Sequence, residues 1–561
     1  MTRFFYTTIA LVLIAAPCQA QSRQAVSLVP SDALGFLLIK DLRQLSDKVE
    51  NLAKKLNVEE RVSLLELIHK EMGIREGLND KGSAVFIVLK TKDEKNSIAV
   101  VIALPVSDRQ KMAQQLAMKD LKDTIAEGEV GLKSGLLAGI GGKEADATPK
   151  KFPVLVARRG DFVLLAPPES RAGLEVVLHA KKNITASLRP VQDWLDEQDM
   201  AGICTDRGVS TGLAMFLNGP GGGAESSTQG QVRQLRETFA EVEKNVQLIA
   251  FGASIEKDGH SRLATRVQFQ PEGSYAKWIA KAEPLREKLL ARFPDQPQFA
   301  TALARISAQT TLEGVAKYLL SELPADKRDA LTKEMTKLVQ QISEVGVCLY
   351  TTSKAGGPAL PIKSAVSSCD PVLLAQVRDA TTFLDDAVDL LRHASRAARS
   401  ADKTKVEVSY QEKEIAGKPS RLITMRRGEQ GSGKDRPQVF LLTALDGQTV
   451  LGCLLPDREK AEATVTKFSK QADRSLAANA SLQKTRKLLP DKLQVELLLD
   501  LQTFGILGQS ESDKTQVSHV APLGFAMRAL PAALEAQFVV PFDALKAVVD
   551  ASKAKAKEKE K

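Results

Sequence analysis

Ser274, Tyr275, Ala276 and Lys277 spell S-x-x-K. On a helix that spacing sets a Lys amine one turn from a Ser hydroxyl, where a neutral amine can take the hydroxyl proton and create a nucleophile. The S-D-N and K-T-G triplets that accompany such a pair in acyl-transfer enzymes are absent from the chain. Ser552 and Lys555 repeat the same spacing in a Lys-rich tail, so the spacing alone does not define a site. Ser274 and Lys277 stand as the candidates for a Ser-Lys hydrolase.

Three other patterns invite chemistry. Residues 428–434, GEQGSGK, match the phosphate-cradling G-x-x-x-x-G-K, but Asp435 follows where a Ser or Thr should hold Mg²⁺. RPQVFLLTAL comes next, a Pro and a strand instead of the helix whose N-terminus would receive phosphate, so the segment reads as a hairpin loop. Residues 208–212, GVSTG, match G-x-S-x-G, which works as a nucleophile elbow only between a strand and a helix. Here the pattern reads as a hairpin turn ahead of a Gly-rich stretch. Asp385, Asp389 and His393 stand at i, i+4 and i+8 of FLDDAVDLLRH and share one helix face, where they could ligate a divalent ion at an interface. A solvated face with internal pairs is the competing reading. No Cys-x-x-Cys or His-x-x-x-His spacing occurs, and no cofactor is implied.

Four cysteines follow the leader: Cys204, Cys348, Cys369 and Cys453. Val345, Val347 and Leu349 are expected to mark the buried face of one strand, with Ile362, Ser364 and Val366 on the matching face of its hairpin partner. That register places Cys348 and Cys369 opposite each other on the other face, within bridging range. A Cys348–Cys369 disulfide is the expectation, with buried free thiols as the alternative.

The elements that would position these residues form a repeated unit: a strand, a short polar turn, a second strand, then Pro opening a helix. It recurs at Pro105, Pro167, Pro271, Pro371, Pro456 and Pro541, with Asp370 as an N-cap before Pro371. Ser187-Leu188 and Ser475-Leu476 recur after the second and fifth units, and PSDALGFLLIKDL from Pro30 echoes PDKLQVELLLDL from Pro490. The expected fold class is α+β: duplicated antiparallel sheets built from hairpin–Pro–helix units, with helices covering one face. Residues 21–217 form an expected N-terminal lobe and 232–548 a C-terminal lobe, joined by the Gly/Ser-rich 218–231. A second break is expected near 394–405, and 549–561 reads as a disordered Lys/Glu tail.

LVPSDALGFLLIKDLRQL, FPVLVARRGDFVLLAPP and KLLPDKLQVELLLDLQTF resemble segments of uncharacterised planctomycete-type secreted proteins. The resemblance implies a duplicated, secreted α+β protein and brings no catalytic residues with it.

Residues 1–20 have the plan of a signal peptide: Arg3, the apolar run from Ile9 to Ala16, and Ala20 as the small residue before a cut. Cys18 raises the lipoprotein alternative, although Ala15 and Pro17 do not fit its pattern. No further stretch is apolar for long enough to span a bilayer, so the expected location is extracytoplasmic, periplasmic or secreted. Removing Arg3 with the leader, and five Lys and two Glu with residues 553–561, lowers the net charge from +9 to +5, too little for a nucleic-acid partner. Because no nucleophile, base and oxyanion donor can be assembled, the expected function is a non-catalytic structural or interaction protein with a protein or cell-envelope partner. The Ser274 hydrolase and a carrier of an apolar ligand held between a sheet and its helices are the alternatives.

Overall fold

The structure is a computed structural model that describes residues 22–560 apart from 59–62, 92–97, 133–149, 219–235, 238–239, 287, 306–324, 352–368, 402–404, 429–437, 456–457, 470–473 and 502–519. The expected leader and the phosphate-loop-like segment beyond Gly428 lie outside the described residues. The described chain divides into two compact units, the first ending at Gly273 and the second starting at Ser274.

In the first unit, nine strands form an antiparallel sheet: β1 (Gly35–Ile39), β2 (Ala84–Lys90), β3 (Ile98–Pro105), β4 (Ala126–Leu132), β5 (Lys150–Arg159), β6 (Phe162–Ala166), β7 (Met200–Thr205), β8 (Val246–Ile255) and β9 (Ser261–Phe269). The pairings give the order β4-β5-β6-β3-β2-β1-β7-β8-β9. Gly160, at φ 61°, makes the two-residue turn from β5 to β6 in a conformation that costs Gly little. Helices α1 (Leu42–Lys55), α2 (Leu64–Glu71), α3 (Arg109–Gln115), α4 (Arg171–His179), α5 (Gln192–Glu197) and α6 (Asp206–Asn218) complete the unit.

The second unit holds ten strands: β10 (Gln298–Arg305), β11 (Ile342–Thr351), β12 (Cys369–Val377), β13 (Lys405–Ile415), β14 (Lys418–Gly428), β15 (Gln438–Ala444), β16 (Thr449–Leu455), β17 (Val495–Leu499), β18 (Leu523–Leu530) and β19 (Ala533–Val540). Their antiparallel order is β13-β14-β15-β16-β12-β11-β10-β17-β18-β19. Its helices are α7 (Ser274–Ile279), α8 (Ala325–Val339), α9 (Ala380–Ala401), α10 (Arg458–Ser469), α11 (Ala480–Arg486) and α12 (Phe542–Glu560).

Apart from β13, the two orders match strand for strand, and so do bonds outside the ladders. Lys40 N–H donates to Asp199 O at 3.0 Å, as Arg305 N–H does to Gln494 O at 2.7 Å. Asp199 N–H reaches Ala253 O at 3.0 Å and Gln494 N–H reaches Met527 O at 2.8 Å. The Asp199 side chain then accepts from Ile255 N–H at 2.9 Å, and the Gln494 side chain accepts from Ala529 N–H, two residues further along the neighbouring strand in both cases. Ile184 N–H to Val29 O (3.0 Å) corresponds to Leu476 N–H to Phe293 O (2.8 Å). These bonds align the Pro30 segment with the one at Pro294, not Pro490: Pro30 bridges to Asn183 and Pro294 to Ser475.

Several expectations need correction. Five of the six hairpins form where expected, but the lobe boundary is not at 218–231, because β8 and β9, placed in the C-terminal lobe, extend the first sheet through β7. Helices cover parts of both faces. Leu174 and Val177 of α4 pack on one face of the first sheet, and Leu42, Leu45 and Met112 of α1 and α3 on the other. The reason is visible in β6, FVLLA, which is buried at every position and so has no solvent face.

Pro opens a helix at Pro541, but Pro105 ends β3 and Asp108 caps α3, while Pro371 lies inside β12. The strand tolerates it because pairing with β16 begins only at Val372. The helix after this hairpin starts at Ala380, with Asp379 accepting from Thr382 N–H at 2.7 Å. Residues 394–401 continue α9 where a break was expected, and the tail is helical through Glu560. Ala, Lys and Glu are strong helix formers, and an anchored helix grows without a new nucleation step. No helix among the described residues is long and apolar enough to cross a membrane.

Candidate functional site

Strand β8 reads VQLIAFGASI, apolar at both odd and even positions. Leu248 and Ala250 enter the core with α4 and α5, which sends Ile249, Phe251, Ala253 and Ile255 to the opposite face. There Phe251 is 51% exposed, and Leu263, directly opposite Ala253 on β9, is 55% exposed. The registers Phe251↔Gly202, Gly202↔Leu37 and Leu37↔Phe86 continue the same face across four strands. Ile98 and Val100 of β3 lie exposed farther across this face. Scattered exposed apolar residues are ordinary; a contiguous set on one sheet face marks an interaction surface.

At one end α1 and α2 fold over the face and leave a cavity of about 280 Å³. Its apolar wall is Leu45, Val49, Leu64, Met200, Ala253 and Ile255, with Asp199, Ser63 and Ser254 as the polar contribution. The Asp199 carboxylate is already occupied: Lys48 Nζ donates to it at 2.6 and 2.9 Å, and Ile255 N–H at 2.9 Å. Ser63 Oγ accepts from Glu66 N–H at 3.0 Å and caps α2. On the neighbouring Lys40, burial lowers the ammonium pKa from the ordinary lysine value, opposed by Asp196 and Asp199.

The residues singled out from sequence are placed differently. Ser274 and Lys277 are exposed on a six-residue helix that buries Ala276 and Ile279, so water has free access to both. Residues 208–212 are not a hairpin turn. They lie within α6 directly after β7, and Ser210 falls a full turn beyond the strand–helix junction, where an elbow nucleophile would stand. Gly428 ends β14, and a strand, β15, follows as the sequence predicts.

The Asp385, Asp389 and His393 side chains each turn to a separate partner. Asp385 binds Arg421 at 2.8 Å, Asp389 binds Arg392 at 2.9 Å, and His393 Nδ1 meets Glu334 Oε1 at 2.7 Å. No group of three or more potential metal ligands occurs among the described residues.

The disulfide expectation fails on register. Cys348 lies opposite Val372, and Cys369 opposite Thr351, so the two thiols occupy opposite faces of the sheet. None of Cys204, Cys348, Cys369 and Cys453 forms a disulfide. The buried face of β11 is Glu344, Gly346, Cys348 and Tyr350, not Val345, Val347 and Leu349. Cys348 Sγ lies 3.0 Å from Gln298 Oε1, and burial pushes its thiol up to about 12, as it does for Cys453.

Phe251 and Leu263 escaped the sequence reading, although the unbroken apolar run in β8 announces a second apolar face. No family model, curated protein or solved structure matches the chain.

Proposed function

We propose that this is a non-catalytic interaction protein, secreted or periplasmic, that holds a cell-envelope partner on the open apolar face of its first sheet. The observation carrying this reading is the exposure of Phe251 and Leu263, 51% and 55%, beside each other on a face that helices cover only in part. Water contact with that much apolar area is unfavourable by about 25 cal/mol per Å², and burial against a partner removes it. We further propose that the two units arose by duplication of one ancestral unit. The matching strand orders support this, as do the paired bonds at Asp199 and Gln494.

The test is sedimentation of the purified protein with isolated cell envelopes. Wild type is expected to sediment with them. The double variant Phe251→Ser, Leu263→Ser is expected to stay in solution with an unchanged melting temperature, because both side chains already face water. Equal sedimentation of the two proteins overturns the reading.

A further inference from the structure

The covered and open ends of this apolar face are one continuous surface. Ala253 lines the cavity, its cross-strand partner Leu263 is exposed, and Phe251 stands two residues away on the same face. A ligand entering the cavity therefore finds an apolar path leading out of it. At about 280 Å³, the cavity lies just under the size of pockets that enclose a whole small molecule, roughly 300–1,000 Å³. It has room for the end of a ligand, and the stripe outside has room for its continuation.

Charge narrows the ligand further. Asp199 takes two bonds from Lys48 and one from Ile255 N–H, and the Ser63 oxygen is used as a helix cap. The wall thus holds no unpaired charge for an ionic group, and an ion brought inside would have to leave water without a partner. The lining is otherwise aliphatic, with the adaptable thioether of Met200 at the sheet side.

We propose that the cavity and its stripe bind an unbranched aliphatic chain of a single-chain amphiphile, with the uncharged chain tip between α1, α2 and β8 and the head in solvent beyond Phe251. This rests on the open face being the binding face and identifies what the envelope partner inserts there: a lipid chain.

Calorimetric titration of the mature protein with 1-monoacylglycerols of increasing chain length, each below its micellar concentration, tests it. Affinity is expected to rise about tenfold for every two methylenes added. Ala253→Trp fills the cavity and is expected to weaken the longer chains tenfold or more while leaving the melting temperature unchanged. If that variant does not fold, Leu64→Phe blocks the same space from the helix side. A fatty-acid series of equal lengths is expected to bind no tighter than the glycerol esters. Unchanged affinity in a folded, cavity-filled variant, with loss in Phe251→Ser, Leu263→Ser, overturns the cavity assignment and leaves the binding face standing. No binding of any chain by folded wild type overturns the inference, and envelope sedimentation then decides separately whether the face binds another partner.

Discussion

Cys348 and Cys453 sit on the core side of their strands, where desolvation raises both thiols to about 12. The thiolate is the reactive form, so iodoacetamide at pH 8 is expected to leave both unmodified in the native protein and to alkylate both after unfolding. The pH dependence has a definite sign. A thiol whose pKa is higher folded than unfolded stabilises the fold fully below the unfolded value near 9 and loses that contribution as pH rises towards about 12. The melting temperature should fall across that window, and less steeply in Cys348→Ala, Cys453→Ala. Asp199 is the other residue with a clear expectation. Asp199→Ala strands a half-buried Lys48 and an Ile255 N–H, a loss of about 2 kcal/mol in urea unfolding. At this scale the sequence was a poor guide. Ser274, His393 and the 208–212 pattern carry suggestive spacings, but a spacing does not say whether the side chain meets a neighbouring reactive group, a salt-bridge partner or water.

Hairpins were the legible elements, because alternation and turn residues are local: five formed where strands were expected, and the fourth pairs β11 with a strand at Cys369–Val377, beyond the expected Ile362–Val366, which lies outside the described residues. Helix starts were less legible, since Pro is equally at home at a helix entrance and at the open end of a strand. Asp370-Pro371 shows the ambiguity, and the resulting displacement of β12 also produced the wrong cysteine register. The assignment of α9 gives a direct test. Asp379→Ala removes its cap and should lower the melting temperature, whereas Asp370→Ala should not. Backbone donation from Thr382 holds the Asp379 carboxyl below its ordinary range, so this contribution is present above the unfolded carboxylate value and is lost as pH falls from there through the lower folded value. The tail offers a second test at this scale. Deleting residues 553–561 should reduce the helical circular dichroism yet leave the melting temperature almost unchanged, because Ala544, the fully buried residue among the described side chains of α12, lies ahead of the deletion.

The division into two units was legible in outline and misplaced in detail. The Gly-rich 218–231 looks like a linker by composition, but composition does not reveal that β8 must still return to pair with β7. Limited expression should distinguish the two boundaries. A chain covering 22–273 keeps all nine strands of its sheet and is expected to melt cooperatively. One ending at 217 lacks β8 and β9, leaves Ala201 and Ile203 of β7 without their neighbours, and is expected to aggregate.

The position of β1 also shapes the order in which the molecule can assemble. Its Phe36 pairs with Ile87 on one side and with Ile203 on the other, so the second partner emerges from the ribosome long after the first. Until then one side of an apolar strand has no neighbour, and β10 waits in the same way for β17. Such long-separation contacts slow the search for the native state and prolong the interval in which open strands can join other chains. Refolding from denaturant should therefore be slow and strongly concentration-dependent in yield, and the chain would gain from a holding chaperone throughout that interval.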